Sequence, residues 1–335
     1  MNPAPIDWAA LERLRAAFLA GTAGQPDYWR EERDLASYDA TFAQRIGWKW
    51  DFVLAGLRRR GWTPPQAPLL DWGCGSGIAG RAFVDFFGVN SASGLWLWDR
   101  STLAMNFSAT CARQKYPALS VKNGLPCHEG ESFGGTLLLS HVMNELDAPQ
   151  LDALLTLVAG AACVLWIEPG THAASRALGA VRERLCGHFE VVAPCPHQGP
   201  CGLLVPGQER HWCHHFAEPA PGVFTDGDWA RFATLMGIDL RSVPLSYLVL
   251  DRRAGAVPPL PPGTARVIGQ PRTYKAYARI FACDATSVSD RELGKRAFPE
   301  LFRQIRKGTS PTLVELAGDP GGKVLAARSL EEYSP

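Results

Sequence analysis

Two groups of residues in this 335-residue chain have types and spacings suited to chemistry. The first is Asp71-Trp72-Gly73-Cys74-Gly75-Ser76-Gly77, an acid followed by three glycines at alternate positions, with Leu69-Leu70 leading in. This reads as a buried strand that ends in a tight turn and opens a helix. Glycines suit such a turn because a Cβ would block the approach of a ligand to the backbone. The helix expected over 78–87 turns its first amides toward the same ligand. Asp99 closes a second apolar run, Leu95 to Trp98, where a nucleotide-binding sheet places a ribose-binding acid. The second group is Cys195 and Cys201, spaced C-x5-C, followed by His211-Trp212-Cys213-His214-His215. Prolines and glycines around the thiols hold a loop open, as a metal site requires. Four ligands are expected; the fourth could be remote, and Cys283 at the end of a later apolar run is the best remote candidate. Zinc would accept His197 or His211 in the set, and an iron–sulfur cluster would take four thiolates. Spacing alone leaves both metals open, along with unliganded loop thiols.

The elements that must position these groups follow from apolar periodicity. Helical spacing covers 6–20, and a longer helical region runs from 28 to 61. A stiff proline-rich linker, 63–68, enters the glycine motif. Strands are expected over 68–72, 94–98, 118–122, 134–140 and 163–167, with helices over 76–87, 102–114, 149–160 and 173–187. Short apolar strands alternating with helices describe a doubly wound α/β sheet. Right-handed crossovers then bring the glycine turn, Asp99, Ser140 to Glu145 and Glu168 to Thr171 to one sheet edge. Periodicity fades over 194–222 and returns with a helix at 226–236 and strands at 240–250 and 265–282. The divisions expected are an N-terminal helical region (1–62), the core (63–192), a Cys-rich insertion (193–223), the remaining core strands (224–284) and a basic tail (285–335).

Composition narrows the class. The chain is 46% hydrophobic and 20% charged, with a net charge of +1, so any polyanion contact must come from local patches. Arg58-Arg59-Arg60 and the basic stretch 291–307 are the candidates. No run approaches the ~18 apolar residues of a membrane span, and the N-terminus lacks the pattern of a signal peptide. A cytoplasmic protein that meets no membrane is expected. Nine cysteines, an odd count, argue against a disulfide framework. Cys111, Cys127, Cys163 and Cys186 read as core or surface thiols, and Cys74 as a small packing residue in the turn.

The string Asp71-x-Gly73-x-Gly75-x-Gly77 resembles the first motif of the class I S-adenosylmethionine methyltransferases, and Asp99 resembles their ribose-binding acid. A class I, Rossmann-like methyltransferase fold is the expectation, with Asp71, Gly73, Gly75, Gly77, Asp99 and Ser140 around the cofactor. Asp99 also has the makings of a turn acid, since Ser101 and Thr102 follow it. Methyl transfer demands alignment and exclusion of water, and a base only where the acceptor must lose a proton. His141 could supply that base with Glu145 orienting it, or His141 and Asn144 could simply cap the turn. The acceptor edge holds no Asn/Asp-Pro-Pro-Tyr/Phe tetrapeptide of the kind many amino-group methylators carry.

Further residues carry a more specific resemblance. His-Val-Met-Asn-Glu-Leu at 141–146, Ile-Glu-Pro-Gly-Thr at 167–171, Cys-Pro-His-x3-Pro-Cys at 195–201 and His-Trp-Cys-His-His-Phe at 211–216 resemble the mitochondrial small-ribosomal-subunit protein twenty-two family and its bacterial members, over roughly 35–285. The resemblance implies a methyltransferase-like protein of small-subunit ribosome assembly with ribosomal RNA as partner. It also implies a [4Fe–4S] cluster on Cys195, Cys201, Cys213 and Cys283, favoured over zinc. The rival expectations are a non-catalytic RNA-binding assembly factor on the same fold and a small-molecule methyltransferase with a zinc-stabilised lid. A monomer is expected.

Overall fold

A computed structural model describes residues 5–22, 28–127, 132–318 and 322–330. The chain divides into two compact units, one of residues 1–55, 64–168 and 217–244, the other of 56–63, 169–216 and 245–335.

The first unit is built on a parallel sheet. Its strands are β1 (Leu69–Trp72), β2 (Leu95–Trp98), β3 (Val121–Asn123), β4 (Thr136–Ser140) and β5 (Cys163–Pro169), in the order β3-β2-β1-β4-β5. Leu69 and Leu70 lie between Leu95 and Trp96 on one side and Thr136 and Leu137 on the other. The inner strands β1, β4 and β5 are mostly apolar because both faces are covered, whereas the edge strand β3 is Val-Lys-Asn with its last two residues exposed. Leu137, Leu138 and Leu139 are fully buried. The N-terminal helices are α1 (Trp8–Leu19), α2 (Glu32–Asp39) and α3 (Phe42–Arg59). The helical region expected over 28–61 holds two helices, α2 and α3, with a break at Ala40 and Thr41, where the Thr41 hydroxyl donates to the Ser37 carbonyl. The crossover helices are α4 (Ile78–Phe87), α5 (Thr102–Lys115) and α6 (Ala148–Ala159). Asp147 caps α6 in a reciprocal box with Gln150. That displaces the expectation that His141 and Asn144 cap the turn: an acid one residue before the helix satisfies its free amides.

The second unit carries α7 (His172–Leu185), β6 (Glu190–Ala193) and β7 (His215–Ala217). After α8 (Gly227–Met236), which belongs to the first unit, come β8 (Val243–Asp251), β9 (Thr264–Thr273), β10 (Tyr277–Cys283), β11 (Val288–Gly294), α9 (Pro299–Arg306), β12 (Leu313–Gly318) and β13 (Val324–Ser329). β6 and β8 pair antiparallel, and β7 also pairs β8. The last five strands form an antiparallel sheet ordered β11-β10-β9-β12-β13. Two expectations are corrected here. The stretch 265–282 is a hairpin of two strands, because Lys275 and Ala276 turn the chain between them. Residues 285–330 are no tail: β11, α9, β12 and β13 complete that sheet and its core. Ala278, Ile280, Ala282, Leu293, Leu301, Phe302 and Ile305 pack together there. The basic residues of α9 hid this, since they lie on the face opposite Leu301, Phe302 and Ile305.

Among the described residues no helix is long and apolar enough to cross a membrane. Phe302 is 5% exposed. Phe302→Ala should therefore lower the unfolding free energy by about 3 kcal/mol, measured by urea denaturation. A tail outside the fold would give no change.

Candidate functional site

The glycine turn forms because its neighbours leave no room for side chains. A Cβ on Gly73 would stand 2.7 Å from Val142 Cγ1, and one on Gly77, at φ +84°, 2.0 Å from Ser108 Oγ. At Gly75 a Cβ would meet nothing within 4 Å, so this glycine faces open space. That space is a cavity of about 850 Å³ lined by the turn, Asp99, Ser140, His141 and Glu145, with Tyr28, Trp29 and Tyr38 from the N-terminal region. The cavity lies wholly within the first unit.

Asp99 is a turn acid that also lines the cavity. One carboxylate oxygen accepts from Gly75 N–H at 2.9 Å and the other from Ser101 N–H at 2.9 Å, while the group lines the cavity. Burial pushes its carboxyl up, against the pull of those two amides. Asp71 is different. It is 1% exposed, does not line the cavity, and accepts from Gly80 N–H at 2.8 Å. Its second oxygen is buried without a partner, and burial pushes it up to about 7. Asp71 thus ties the strand to α4. Arg81, missed in the sequence, clamps the same turn by donating to the Ser76 carbonyl at 2.6 Å and pairing with Asp39 of α2. Burial pushes the Cys74 thiol well up, as suits a packing residue.

The acceptor side holds a buried polar network. Trp50 Nε1 donates to Ser140 Oγ at 3.1 Å, and Lys49 Nζ lies 3.0 Å from His141 Nε2. Glu145, expected to orient His141, pairs instead with Arg100 at 3.2 Å. Lys49 takes that place because α3 carries it into the interior. Burial, reinforced by Arg45, brings Lys49 down to about 7. Burial and Lys49 hold His141 well below its ordinary value, so its ring is neutral. A lysine ammonium can only donate, so beside charged Lys49 the His141 proton sits on Nδ1. His141 has φ +59°, alone among the described non-glycine residues. Glu168 holds that geometry. Its Oε1 takes the Val142 and Met143 amides at 3.1 and 3.0 Å and the Trp166 indole at 2.7 Å, while burial pushes its carboxyl up to about 7. Only the Glu-Pro-Gly turn marked Glu168 in the sequence, and nothing marked Lys49.

In the second unit the four cysteines of interest come together. Cys283 packs with Leu203, Ile268 and Val288, and Cys201 and Cys213 lie against that cluster. Burial first, then the neighbouring thiols, pushes Cys213 well up and Cys283 up to about 12. Cys195 moves the same way and feels Cys201. Three of the thiols have a nitrogen beside them. Arg182 Nε donates to Cys195 Sγ at 3.2 Å, His197 Nε2 lies 3.5 Å from Cys283 Sγ, and His215 Nε2 lies 3.6 Å from Cys213 Sγ. His211 is elsewhere, stacked on Phe281 at 4.5 Å. Among the described residues no group of three or more His, Cys, Asp or Glu side chains is placed to hold a single metal ion. All nine cysteines are free thiols.

The buried groups predict a pH dependence. Folded Glu168 keeps its proton up to about 7, whereas its ordinary value is 4.5. Stability therefore falls as pH rises through that window. Asp71 adds to the fall, so Glu168→Gln should reduce it without abolishing it. Lys49 is deprotonated in the fold from about 7, whereas its ordinary value is 10.5, so stability rises over that range and Lys49→Met should flatten the rise. Urea titrations at several pH values check both, and unchanged slopes would refute the burial. Gly77→Ala should cost more than about 1 kcal/mol from its positive φ and the Ser108 clash.

Solved structures with weak likeness include the magnesium protoporphyrin IX methyltransferase of Synechocystis PCC 6803 with bound SAH (12% identity, 64% of this chain and 86% of that one, TM-score 0.38). Another is TrmK of M. capricolum with S-adenosyl-homocysteine (8% identity, 60% and 68%, TM-score 0.31). The fold assignment rests instead on the chain's own strands: the parallel order β3-β2-β1-β4-β5 of the first unit and the antiparallel β6–β8 pair of the second give a class I methyltransferase-like fold. No curated protein matches the chain in sequence. The family model described as mitochondrial small ribosomal subunit Rsm22 matches residues 58–308, three-quarters of the chain, and the chain belongs to that family.

Proposed function

We propose that the chain is an S-adenosylmethionine-dependent methyltransferase-like protein that works on the RNA of the small ribosomal subunit. The observation that carries the reading is Asp99, which accepts the Gly75 and Ser101 amides and lines the cavity. The carboxylate still has lone pairs for two ribose hydroxyls, and Gly75 leaves the backbone open beside it. Gly73 and Gly77 keep the turn tight, and Ser140 lines the cavity at the end of β4. Asp71 supports the turn from below. When bound, the cofactor supplies a sulfonium methyl group activated for transfer. The chain's task is then to align an acceptor and exclude water. Tyr28, Trp29 and Tyr38 give that side of the cavity an apolar wall. His141 stands where an acceptor proton could be taken up, and Lys49 adjusts its readiness.

In the second unit, Cys195, Cys201, Cys213 and Cys283 would hold a [4Fe–4S] cluster. What supports this reading is that Cys201 and Cys213 lie against the group of side chains that includes Cys283, that Cys195 is felt by Cys213 and Cys283, and that Arg182, His197 and His215 stand beside three of the sulfurs, where N–H groups would stabilise thiolate. The cluster would supply a rigid cross-link for a loop with little regular structure.

Calorimetry with S-adenosylmethionine should show binding that Asp99→Ala weakens at least about tenfold, the loss of a charge-assisted hydrogen bond; equal affinity would place the cofactor elsewhere. Anaerobically purified protein should be brown, with about four irons per chain, and Cys195→Ser or Cys283→Ser should lose them. Colourless protein containing one zinc would refute the cluster. Incubation with small subunits and methyl-labelled cofactor should put label in RNA. Stable subunit binding without label would leave a cofactor-binding assembly factor, and label only in small metabolites would overturn both.

A further inference from the structure

The β9–β10 hairpin carries an arrangement that the reading above does not use. Lys275 and Ala276 form its turn, closed by Tyr274 N–H donating to the Tyr277 carbonyl at 2.8 Å. Side chains directly opposite on paired strands share a face. Tyr274 and Tyr277 flank the turn and stack, ring centroids 4.6 Å apart and planes 19° from parallel. Tyr274 is 41% exposed. Beyond Thr273 and Ala278, the next rung on the same face is Arg272 opposite Arg279. Two like charges facing each other across a strand pair are destabilising. Neither has an ion pair or hydrogen bond to a carboxylate among the described residues, although Glu292 stands across from Arg279 on β11. The Arg279 guanidinium lies 5.9 and 6.0 Å from the two tyrosine rings. Lys275 at the turn is exposed as well.

Along β10 the same face continues with Phe281, which stacks under His211, and then Cys283. The insertion therefore covers the Cys283 end and leaves the tyrosine–arginine end open. Asp290 and Glu292 make the β11 side acidic, so the cationic strip is confined to the hairpin. A cationic pair that repels itself, set beside exposed Tyr274 stacked on half-buried Tyr277, matches a ligand with regularly spaced anions and flat apolar groups. Single-stranded nucleic acid has both.

We propose that the tip of the β9–β10 hairpin binds single-stranded RNA, with phosphates on Arg272, Arg279 and Lys275 and a base stacked on the Tyr274–Tyr277 pair. The choice of RNA over other polyanions rests on the reading of the chain as a ribosomal RNA-associated protein; the stacking and charge argument does not. The surface differs from the basic stretches marked in the sequence. Arg60 donates to the Val192 carbonyl, and Arg291 and Arg303 pair with Asp284 and Glu300.

The test is fluorescence anisotropy of a short labelled single-stranded RNA with the full chain over a salt series. R272A/R279A should weaken binding at least about tenfold and lower the log–log salt slope by about 1.4, the value for two phosphate contacts on a single strand. Y274A/Y277A should weaken it about tenfold with the slope unchanged. Arg241→Ala, the loss of one positive charge in the other unit, should leave affinity unchanged, and melting curves should be alike for all variants. Unchanged affinity in either double variant overturns the proposal. So does equal binding of a duplex or of polyglutamate that ignores the tyrosines. S-adenosylmethionine affinity, measured on the same samples, reports separately on the cofactor reading.

Discussion

Glu168 ends β5 fully buried and spends one carboxylate oxygen on three N–H groups, two of them consecutive amides just beyond β4. Buried amides left unpaired are costly, so this carboxylate fixes the path of the chain from Ser140 to Met143. The backbone must then pass through a left-handed conformation at His141. A non-glycine residue so placed stores strain, and the Glu168 grip over-determines it. His141 consequently faces the cavity beside Lys49. Val142, held by the same grip, lies where a Cβ on Gly73 would have to go. The glycine turn and the acceptor side of the cavity are thus two sides of one packing problem.

A buried cation plays the corresponding part in the second unit. Arg182 of α7, 3% exposed, donates to Cys195 Sγ and to the Gly199 carbonyl at 2.8 Å. Arg266 of β9 donates to the Pro194 carbonyl at 2.8 Å, and Arg176 reaches the carbonyls of Leu203, Gln208 and His211. The segment from 194 to 214 has no helix or strand to satisfy its carbonyls. Arginine forks from regular elements do so instead, each offering several donors in a fixed geometry. A loop rich in proline and glycine is thereby given a defined shape, and its thiols are brought to one place.

Much of this was legible in the sequence. Apolar runs such as Leu137 to Leu139 and Val164 to Ile167 marked buried parallel strands, and the alternate glycines located the turn. The cysteines were legible as a group because prolines and glycines isolate them from any periodic element. Three things were hidden. Lys49 lies in a helix of mixed charge where nothing in the sequence sets it apart, and only the tertiary fold turns it inward. Asp71, adjacent to the glycines, reads as a ligand-contacting acid, yet it is buried beneath the turn and bonded to Gly80. The five-stranded sheet was missed because its strands mix charged with apolar residues: one face packs on α9, and the other carries Tyr277 and Arg279 as well as the apolar group of Ile268, Phe281, Cys283 and Val288, a pattern less regular than that of the parallel core.

β10 carries its buried alanines and Ile280 on one face, and Tyr277, Arg279, Phe281 and Cys283 on the other. Side chains alternate strictly along a strand, so a slip of one residue against β11 would exchange the two faces. Arginine and tyrosine would enter the core, and Cys283 would leave its companions. The two-residue turn fixes one end of the register, and the irregularity in β9 between the partners of Arg279 and Phe281 fixes the other. Insertions or deletions of a single residue in 264–283 would therefore be far less tolerated than substitutions on the exposed face, and changes in loop length should be excluded from this segment in any variant of the chain.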